Sequence, residues 1–579
     1  MELNALETLL LHRAEMAEAL DCNAPGIKPI ADEQTIRGEA IRAILFGLSM
    51  HIPGEAAPRV ARLTGFGLQV IGARISGRFD LSHGTAADGS AMAYLGLTSC
   101  DFEQAIYMSS AWIRGVSLVG SYFCHLCAEA VRIEGGLDLG GVRSNEVEGA
   151  FTGAGGLGQC WVQLHGAHIS GEVDLAGAHL TAPLKRDNYE PDVMASRHAL
   201  ELRHSHIGGS LVLSPDVRAV GGVNVRLSHI DGNVWANGIF LSAVEGAAFS
   251  ASAANIRGDL NFNPVDRKEM DTIRSEIEGR FSLYGARITG DLRMSGACVI
   301  GAFTAESAEI GGAVILETWG GRVGSKPKVF TFECTDEVRF YDARITSNLE
   351  MDGASVAGDI VGQGLTVGGI VFMRAASVEI DDYEDTVPFH CKGDVILSMA
   401  QIGNNLNMAG ARLEGDLLMP DTMVSGDIVF CAWNSGAEGQ ERIFPFHCSK
   451  NITLRSTKID GSLVFYGADV EGDINAIEVD VGLDVLAYGW NGKIDGQEET
   501  IPFICNGVMN FYGAKIGSSL SVGGGTVKGG MGIVSAEISG MVLLATSVGK
   551  KAGQDTVFPL CFQENVSFEN TRIARDLKV

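Results

Sequence analysis

The chain has 579 residues, 75 of them Gly and only 14 Pro, and its 71 Asp and Glu outweigh 44 Lys and Arg to leave a net charge of −27. An apolar fraction of 46% excludes a disordered chain. The lack of a three-residue Gly period excludes collagen, and the charge has the wrong sign for binding nucleic acid by phosphate neutralisation. Length alone would give roughly three to five globular domains, but so many glycines in an apolar chain call first for a search for repeats.

The first residues mix acidic and basic side chains through their apolar positions, unlike a signal peptide. No charge-free apolar run reaches about 18 residues. A cytoplasmic protein without a membrane span is expected. Leu3, Leu6, Leu9, Leu10 and Met16 recur at helical spacing and predict a helix over 1–20. After a break from Asp21 to Pro29, Asp32 is placed to cap a second helix with Ile36, Ala40, Ile41, Ile44 and Leu45 on its apolar face and Gly47 at its end. Such helices would cover the open end of a β-solenoid.

From about residue 65 one phrase recurs, as in GARISGRFDL, HSHIGGSLVL and GARITGDLRMSGA. It reads as a short alternating strand after a Gly-marked bend. The lead residues Ile288, Ile345, Ile402, Ile459, Ile516 and Ile573 stand 57 apart, and within a unit the phrase returns after 11 and 22 residues. Cys334, Cys391, Cys448 and Cys505 keep the same period, as do Trp433 with Trp490 and Pro445 with Pro502, while Cys561 falls one short. The spacing gives 57 as five steps of 11 plus two residues in an acidic, Gly-containing segment, and a coil of roughly 18–24 residues. The Ile and Cys columns are the expected repeat core, and Gly and Asn are expected at bends with positive φ. Residues 65–280 use the phrase more loosely, with insertions at 83–98, 181–200 and 263–279. The fold expected is mainly β: a long parallel β-helix with a helical cap at 1–60, an irregular solenoid over 61–285 and a regular one over 286–579.

Ile113, Leu118 and Phe123 stand five apart with Gly115 and Gly120 between them. This stretch resembles the pentapeptide-repeat proteins among the right-handed parallel β-helices, which place such residues inside a square coil. Ile169 to Leu175 is six residues and Leu175 to Leu180 five, a departure from a strict 20-residue coil. The I-x-G-x-[L/V]-x-[L/M] phrases resemble, more weakly, bactofilin-type cytoskeletal β-helices. The first resemblance implies an acidic rod that mimics DNA toward a DNA-handling enzyme; the second implies self-assembly.

The residue before each lead Ile faces outward if the Ile faces inward. It reads Arg74, His168, His206 and His229, then Arg287, Arg344, Lys458, Lys515 and Arg572, a basic stripe suited to an acidic partner, with Arg412 at a half-step. The histidines would share a metal only if their coils aligned, which spacings of 38 and 23 do not suggest. Cys124 and Cys127 form a C-x-x-C with no second pair nearby. His390-Cys391 and His447-Cys448 point oppositely within a strand, against a shared ligand set. No phosphate-binding loop, H-E-x-x-H or nucleophile elbow is present. Asp359, Asp416 and Asp473 are the carboxylates a glycan-processing site would draw on, and Asp381, Asp382, Glu384 and Asp385 form an acidic loop open to Ca²⁺. No catalytic, cofactor or metal site is expected. The expected function is a non-enzymatic scaffold that binds a protein partner, with homo-oligomers, DNA mimicry and glycan processing as alternatives, and no direct nucleic-acid binding.

Overall fold

A computed structural model gives the fold of the chain and describes residues 1–24, 35–144, 159–182, 198–267, 271–324, 326–381, 383–436 and 441–579. The chain divides into two compact units, residues 1–261 with 276–286, and residues 262–275 with 287–579. Both are built from parallel strands paired in sequence order, a β-solenoid whose N-terminal end carries two short helices. No helix among the described residues is long and apolar enough to cross a membrane.

In the first unit, helix α1 (Ala5–Glu15) starts at a capping box: the Asn4 side chain accepts from the Glu7 amide and the Glu7 carboxylate from the Asn4 amide. Its buried face is Leu6, Leu10, Leu11 and Ala14, whereas Met16, expected on that face, follows the helix and is 68% exposed. Helix α2 (Gly38–Leu45) is shorter than expected at its start. Ile36 lies in a strand, Thr35–Arg37, that pairs in parallel with Arg74–Ser76, so tertiary pairing overrides the helical spacing there. Asp32 lies outside the described residues. Gly47 does follow the helix end, at φ +62. Leu20–Asp21 and Thr35–Arg37 each add a strand to the first coil. Helix α2 stands against the strand Phe79–Asp80, where a Cβ on Gly38 would meet the Arg78 carbonyl oxygen at 2.5 Å.

Six isoleucines, Ile113, Ile133, Ile169, Ile207, Ile230 and Ile256, form one inward ladder of the first unit. Their uneven spacing in sequence comes from length inserted between coils. Residues 145–158 and 183–197, on which part of the expected insertion at 181–200 falls, lie outside the described residues. Part of the inserted length lies in the long strand Phe240–Ser250, whose register shifts at Ser242, Ala247 and Phe249.

The second unit is regular. Each coil carries four short strands, for example Arg344–Ile345, Leu349–Glu350, Ser355–Val356 and Ile360–Val361. Most of the coil strands have two residues. Ile288, Ile345, Ile402, Ile459 and Ile516 share one inward ladder, alternating with Ile310, Val367, Val424, Val481 and Ile538. Along it the register advances by 22 residues (Arg344 to Thr366) and then by 35 (Thr366 to Gln401), and 22 + 35 gives 57. The repeat is therefore two coils plus a 13-residue insertion, not two and a half coils.

The insertion is a β-hairpin. Five recur at the 57-residue period, from Trp319–Val323 with Lys326–Phe330 to Ser547–Lys551 with Gln554–Phe558. The expected insertion at 263–279 holds a shorter one, Val265–Asp266 with Thr272–Ile273. Successive hairpins lie face to face: a Cβ on Gly320 would meet Val378 and Ile380 at 2.9 Å. Backbone amides bridge them, Arg322 donating to Thr272 Oγ1 at 2.8 Å, Lys493 to Asn434 Oδ1 at 2.9 Å and Lys550 to Thr500 Oγ1 at 2.7 Å. Two coils advance about 9.6 Å, near the roughly 10 Å at which sheets pack face to face.

The helical cap holds a buried ion pair. Glu7 is fully buried, and Arg37 donates to it through Nε at 2.9 Å and through a terminal nitrogen at 2.6 Å. Burial by itself would raise the Glu7 pKa, but the hydrogen bonds from Arg37 and Asn4 hold it below its usual value. Arg37→Met leaves that carboxylate uncompensated. A loss of about 2 kcal/mol is expected in chemical denaturation of the first unit, below the range for fully buried pairs because the arginine is half-exposed.

Candidate functional site

The carboxylates that a glycan-processing site would use are engaged at the corners of the coils. In the second unit Asp394 N–H donates to Asp359 Oδ1, Asp416 N–H to Asp394 Oδ1, Asn451 N–H to Asp416 Oδ1, Asp473 N–H to Asn451 Oδ1 and Val508 N–H to Asp473 Oδ1, all at 2.8–2.9 Å. Each side chain thus satisfies a corner amide of the next coil. A second corner repeats the device: Asp427 N–H donates to Asn405 Oδ1 at 2.8 Å and Ser462 N–H to Asp427 Oδ1 at 2.7 Å. In the first unit Asp259 N–H donates to Asn233 Oδ1 at 2.7 Å.

The glycine before the residue whose amide donates is fixed by the same contact. A Cβ would lie 2.3 Å from Asp359 Oδ1 at Gly393, 2.0 Å from Asn405 Oδ1 at Gly426 and 2.3 Å from Asp473 Oδ1 at Gly507. None of these three glycines has a positive φ. The phrase glycine answers to close approach of coils, and the expected left-handed bend is found elsewhere in the coil, as at Gly410 (φ +71), and often without glycine, as at Met399 and Ser456.

Arg287, Arg344, Lys458, Lys515 and Arg572 all lie on the outer face of the strands that carry the Ile ladder, and all are exposed. They are not neighbours of one another. Glu309 stands between Arg287 and Arg344, Asp480 between Lys458 and Lys515, and Glu537 between Lys515 and Arg572. Thr366, Gln401 and Met423 fill the middle of the column. Arg287 donates to Glu309 at 2.9 Å, a pair of small energetic weight at this exposure. Arg412 lies on another sheet, between His390 and His447.

Cys334, Cys391, Cys448 and Cys505 are buried and alternate with Val356, Leu413 and Val470 on one ladder. Each thiol donates to a glycine carbonyl of the preceding coils, Cys391 to Gly358 at 3.5 Å and Cys448 to Gly415 at 3.6 Å. Burial raises their pKa values to about 11 or 12, so they are thiols at neutral pH and poor ligands. Phe562 takes the next inward place, which leaves Cys561 facing outward. His390 reaches Glu414 at 2.9 Å, and His447 reaches Asp469 at 3.2 Å. Cys124 and Cys127 are both free thiols. In the acidic hairpin Asp381 pairs with Arg322, Glu384 accepts from the Gly436 amide at 3.3 Å and Asp385 from the Tyr383 hydroxyl at 3.2 Å. Those carboxylates do not converge, and Asp382 lies outside the described residues.

One group of chemically capable side chains does converge. Despite spacings of 38 and 23, His168, His206 and His229 are register partners on adjacent strands of the first unit. Their ring centroids are 4.8 and 5.1 Å apart. Asp231, two residues beyond His229 and therefore on the same outer side, meets His206 Nε2 at 3.1 Å and His229 Nε2 at 3.0 Å through its two oxygens. Arg257 reaches Asp231 Oδ1 at 2.8 Å. The hydrogen bond from His206, opposed by slight desolvation and helped by the Arg257 and His229 charges, holds the Asp231 carboxyl below its usual pKa. The sequence signal was the residue preceding three lead isoleucines; the alignment was hidden by insertions of unequal length.

Two hollows on the surface of the second unit are partly open to solvent: one between the last two hairpins, lined by Asn491, Lys493, Glu499 and Lys550, and one along the outer column at Gln401 and Met423. Neither encloses a small molecule as binding clefts do. No protein-family model matches the chain, and no curated protein or solved structure matches it. The long parallel sheets of strands paired in sequence order support a generic β-solenoid.

Two outcomes follow from the corners and from a half-buried acid. Asp416→Ala orphans the Asn451 amide and is expected to cost about 1–2 kcal/mol, whereas Asp416→Asn, which keeps the acceptor oxygen, is expected to be near neutral in the same denaturation experiment. Glu317 is pushed up to about 7, first by burial and then by Glu350 and Asp352. Its folded pKa exceeds its unfolded value, so its contribution is full below about pH 4.5 and is lost as pH rises through 7. Glu317→Gln should raise the thermal midpoint above pH 7 and leave it unchanged near pH 4.

Proposed function

We propose that this protein is a non-enzymatic scaffold that binds a protein partner through its acidic outer surface, centred on the stack of hairpins. The observation that supports this is the alternation of coils. The 22-residue steps close without a hairpin, so the coil does not need one for continuity, yet the 13-residue insertion returns at a fixed period in stacked register. An ordered array of elements outside the coil core is what a docking surface requires. The hairpin from Ala376 to Val387 concentrates Glu379, Asp381, Glu384 and Asp385, which favours a basic partner.

The other readings have less support. An alternation of cations with Glu309, Asp480 and Glu537 along the outer column is unlike the uniform phosphate line that a DNA mimic would copy. The 20-residue steps from Ile106 to Leu126 and from Trp112 to Arg132 favour likeness to pentapeptide-repeat proteins in that stretch alone. Asp359, Asp416 and Asp473 are committed to corner amides, which weighs against glycan chemistry.

Deleting residues 376–388 converts one 35-residue step into a 22-residue step. The variant should keep its circular dichroism spectrum and lose, at least in part, the partners that the intact protein captures from extracts of its source cell. An unchanged capture profile with a folded variant, or turnover of glycan substrates by the intact protein, would overturn the reading.

A further inference from the structure

We propose that His206, His229 and Asp231 form a binding site for a divalent transition-metal ion, with Zn²⁺ the best fit. The three ligand atoms come from adjacent coils of the first unit and all lie within 4.8 Å of one another. Bonds of about 2.0–2.1 Å in a tetrahedral site put neighbouring ligand atoms about 3.3 Å apart. Each imidazole nitrogen already stands near that distance from an Asp231 oxygen, His206 Nε2 3.1 Å from Oδ2 and His229 Nε2 3.0 Å from Oδ1, and a small turn of the carboxylate brings one oxygen to both.

The backbone supplies the preorganisation. His206 and His229 occupy the same place on paired strands, and Asp231 follows His229 by two residues, so all three side chains leave the sheet on one side. Two imidazoles and one carboxylate are a donor set that suits Zn²⁺ better than Ca²⁺ or Mg²⁺, which take oxygen ligands. Binding requires each imidazole to be neutral, with its proton on Nδ1 and the Nε2 lone pair turned to the ion. Three protein ligands leave a fourth position to water or to an incoming group. His168 stacks edge-on against His206 at 4.8 Å and is the nearest further imidazole.

Arg257 makes the inference sharp. Its guanidinium contacts Asp231 Oδ1, where it would repel a cation, and its side chain is 60% exposed and has room to swing away. Loss of this arginine should therefore tighten metal binding, whereas in a site that serves only as a hydrogen-bonded cluster it would loosen the cluster and do nothing for a metal.

The test is titration of the chelator-treated full chain with Zn²⁺, and with Co²⁺ as a spectroscopic probe. It uses a Cys124→Ser, Cys561→Ser background that removes the two exposed thiols. One ion per chain is expected, with a Co²⁺ ligand-field spectrum free of thiolate charge transfer. Affinity should fall by about 10-fold or more in His206→Ala and in Asp231→Asn and rise several-fold in Arg257→Gln, with unchanged circular dichroism in all three. No saturable one-per-chain binding, or binding indifferent to His206→Ala and Asp231→Asn, would overturn the proposal.

Discussion

The structure depends on how closely one coil can approach the next at its corners. Parallel strands set that distance at about 4.8 Å along the sides, but between two-residue strands the chain must turn, and turning amides would lose their partners. A side-chain oxygen of Asp, Asn or Ser accepts the corner amide of the coil that follows, and a glycine beside it leaves room for that oxygen. Asp359 and Gly393, Asn405 and Gly426, and Asp473 and Gly507 are three instances of one contact. Each such bond contributes only about 1 kcal/mol net, yet leaving a buried amide unpaired at every corner would cost more, coil after coil.

The 57-residue period follows from the same spacing. A hairpin on every coil would place two-stranded sheets about 4.8 Å apart, too close for side chains to pack between them. On every second coil the distance doubles to about 9.6 Å, which matches face-to-face sheets. Gly320 against Val378 and Ile380, and the amide of Lys550 on Thr500, show hairpins settled at that distance. The hairpins also lock to the coils beneath them: a Cβ on Gly410 would strike Cβ of Trp433 at 2.6 Å, and one on Gly467 would strike Cβ of Trp490 at 2.7 Å.

Much of this was legible in the residues. The Ile and Cys columns announced a solenoid because inward ladders tolerate only a few side chains, and Ile402 or Cys448 must recur wherever the register returns. The division of the period was less legible. Hairpin strands such as Trp490–Ile494 alternate like coil strands, so the eye counts a fifth 11-residue step where the chain leaves the coil. The phrase glycines looked like bends because contact between coils 22 or 35 residues apart leaves no local mark. The histidine group escaped for a related reason: register is set by pairing, and unequal insertions between His168, His206 and His229 disguise it. At the N-terminus Ile36 fits a helical face and a strand equally well, and only its pairing with Ile75 decides.

Site-resolved native-state hydrogen exchange tests the corner contact most directly. The amides of Asp394, Asp416, Asn451 and Asp473 sit at turns, outside the two-residue strands. If the side-chain ladder governs coil spacing, they exchange as slowly as the ladder amides of neighbouring strands, such as those of Val395 and Leu417, and Asp416→Ala frees Asn451 first. Exchange of these corner amides at the rate of solvent-facing loops, with the strands protected, would contradict the account.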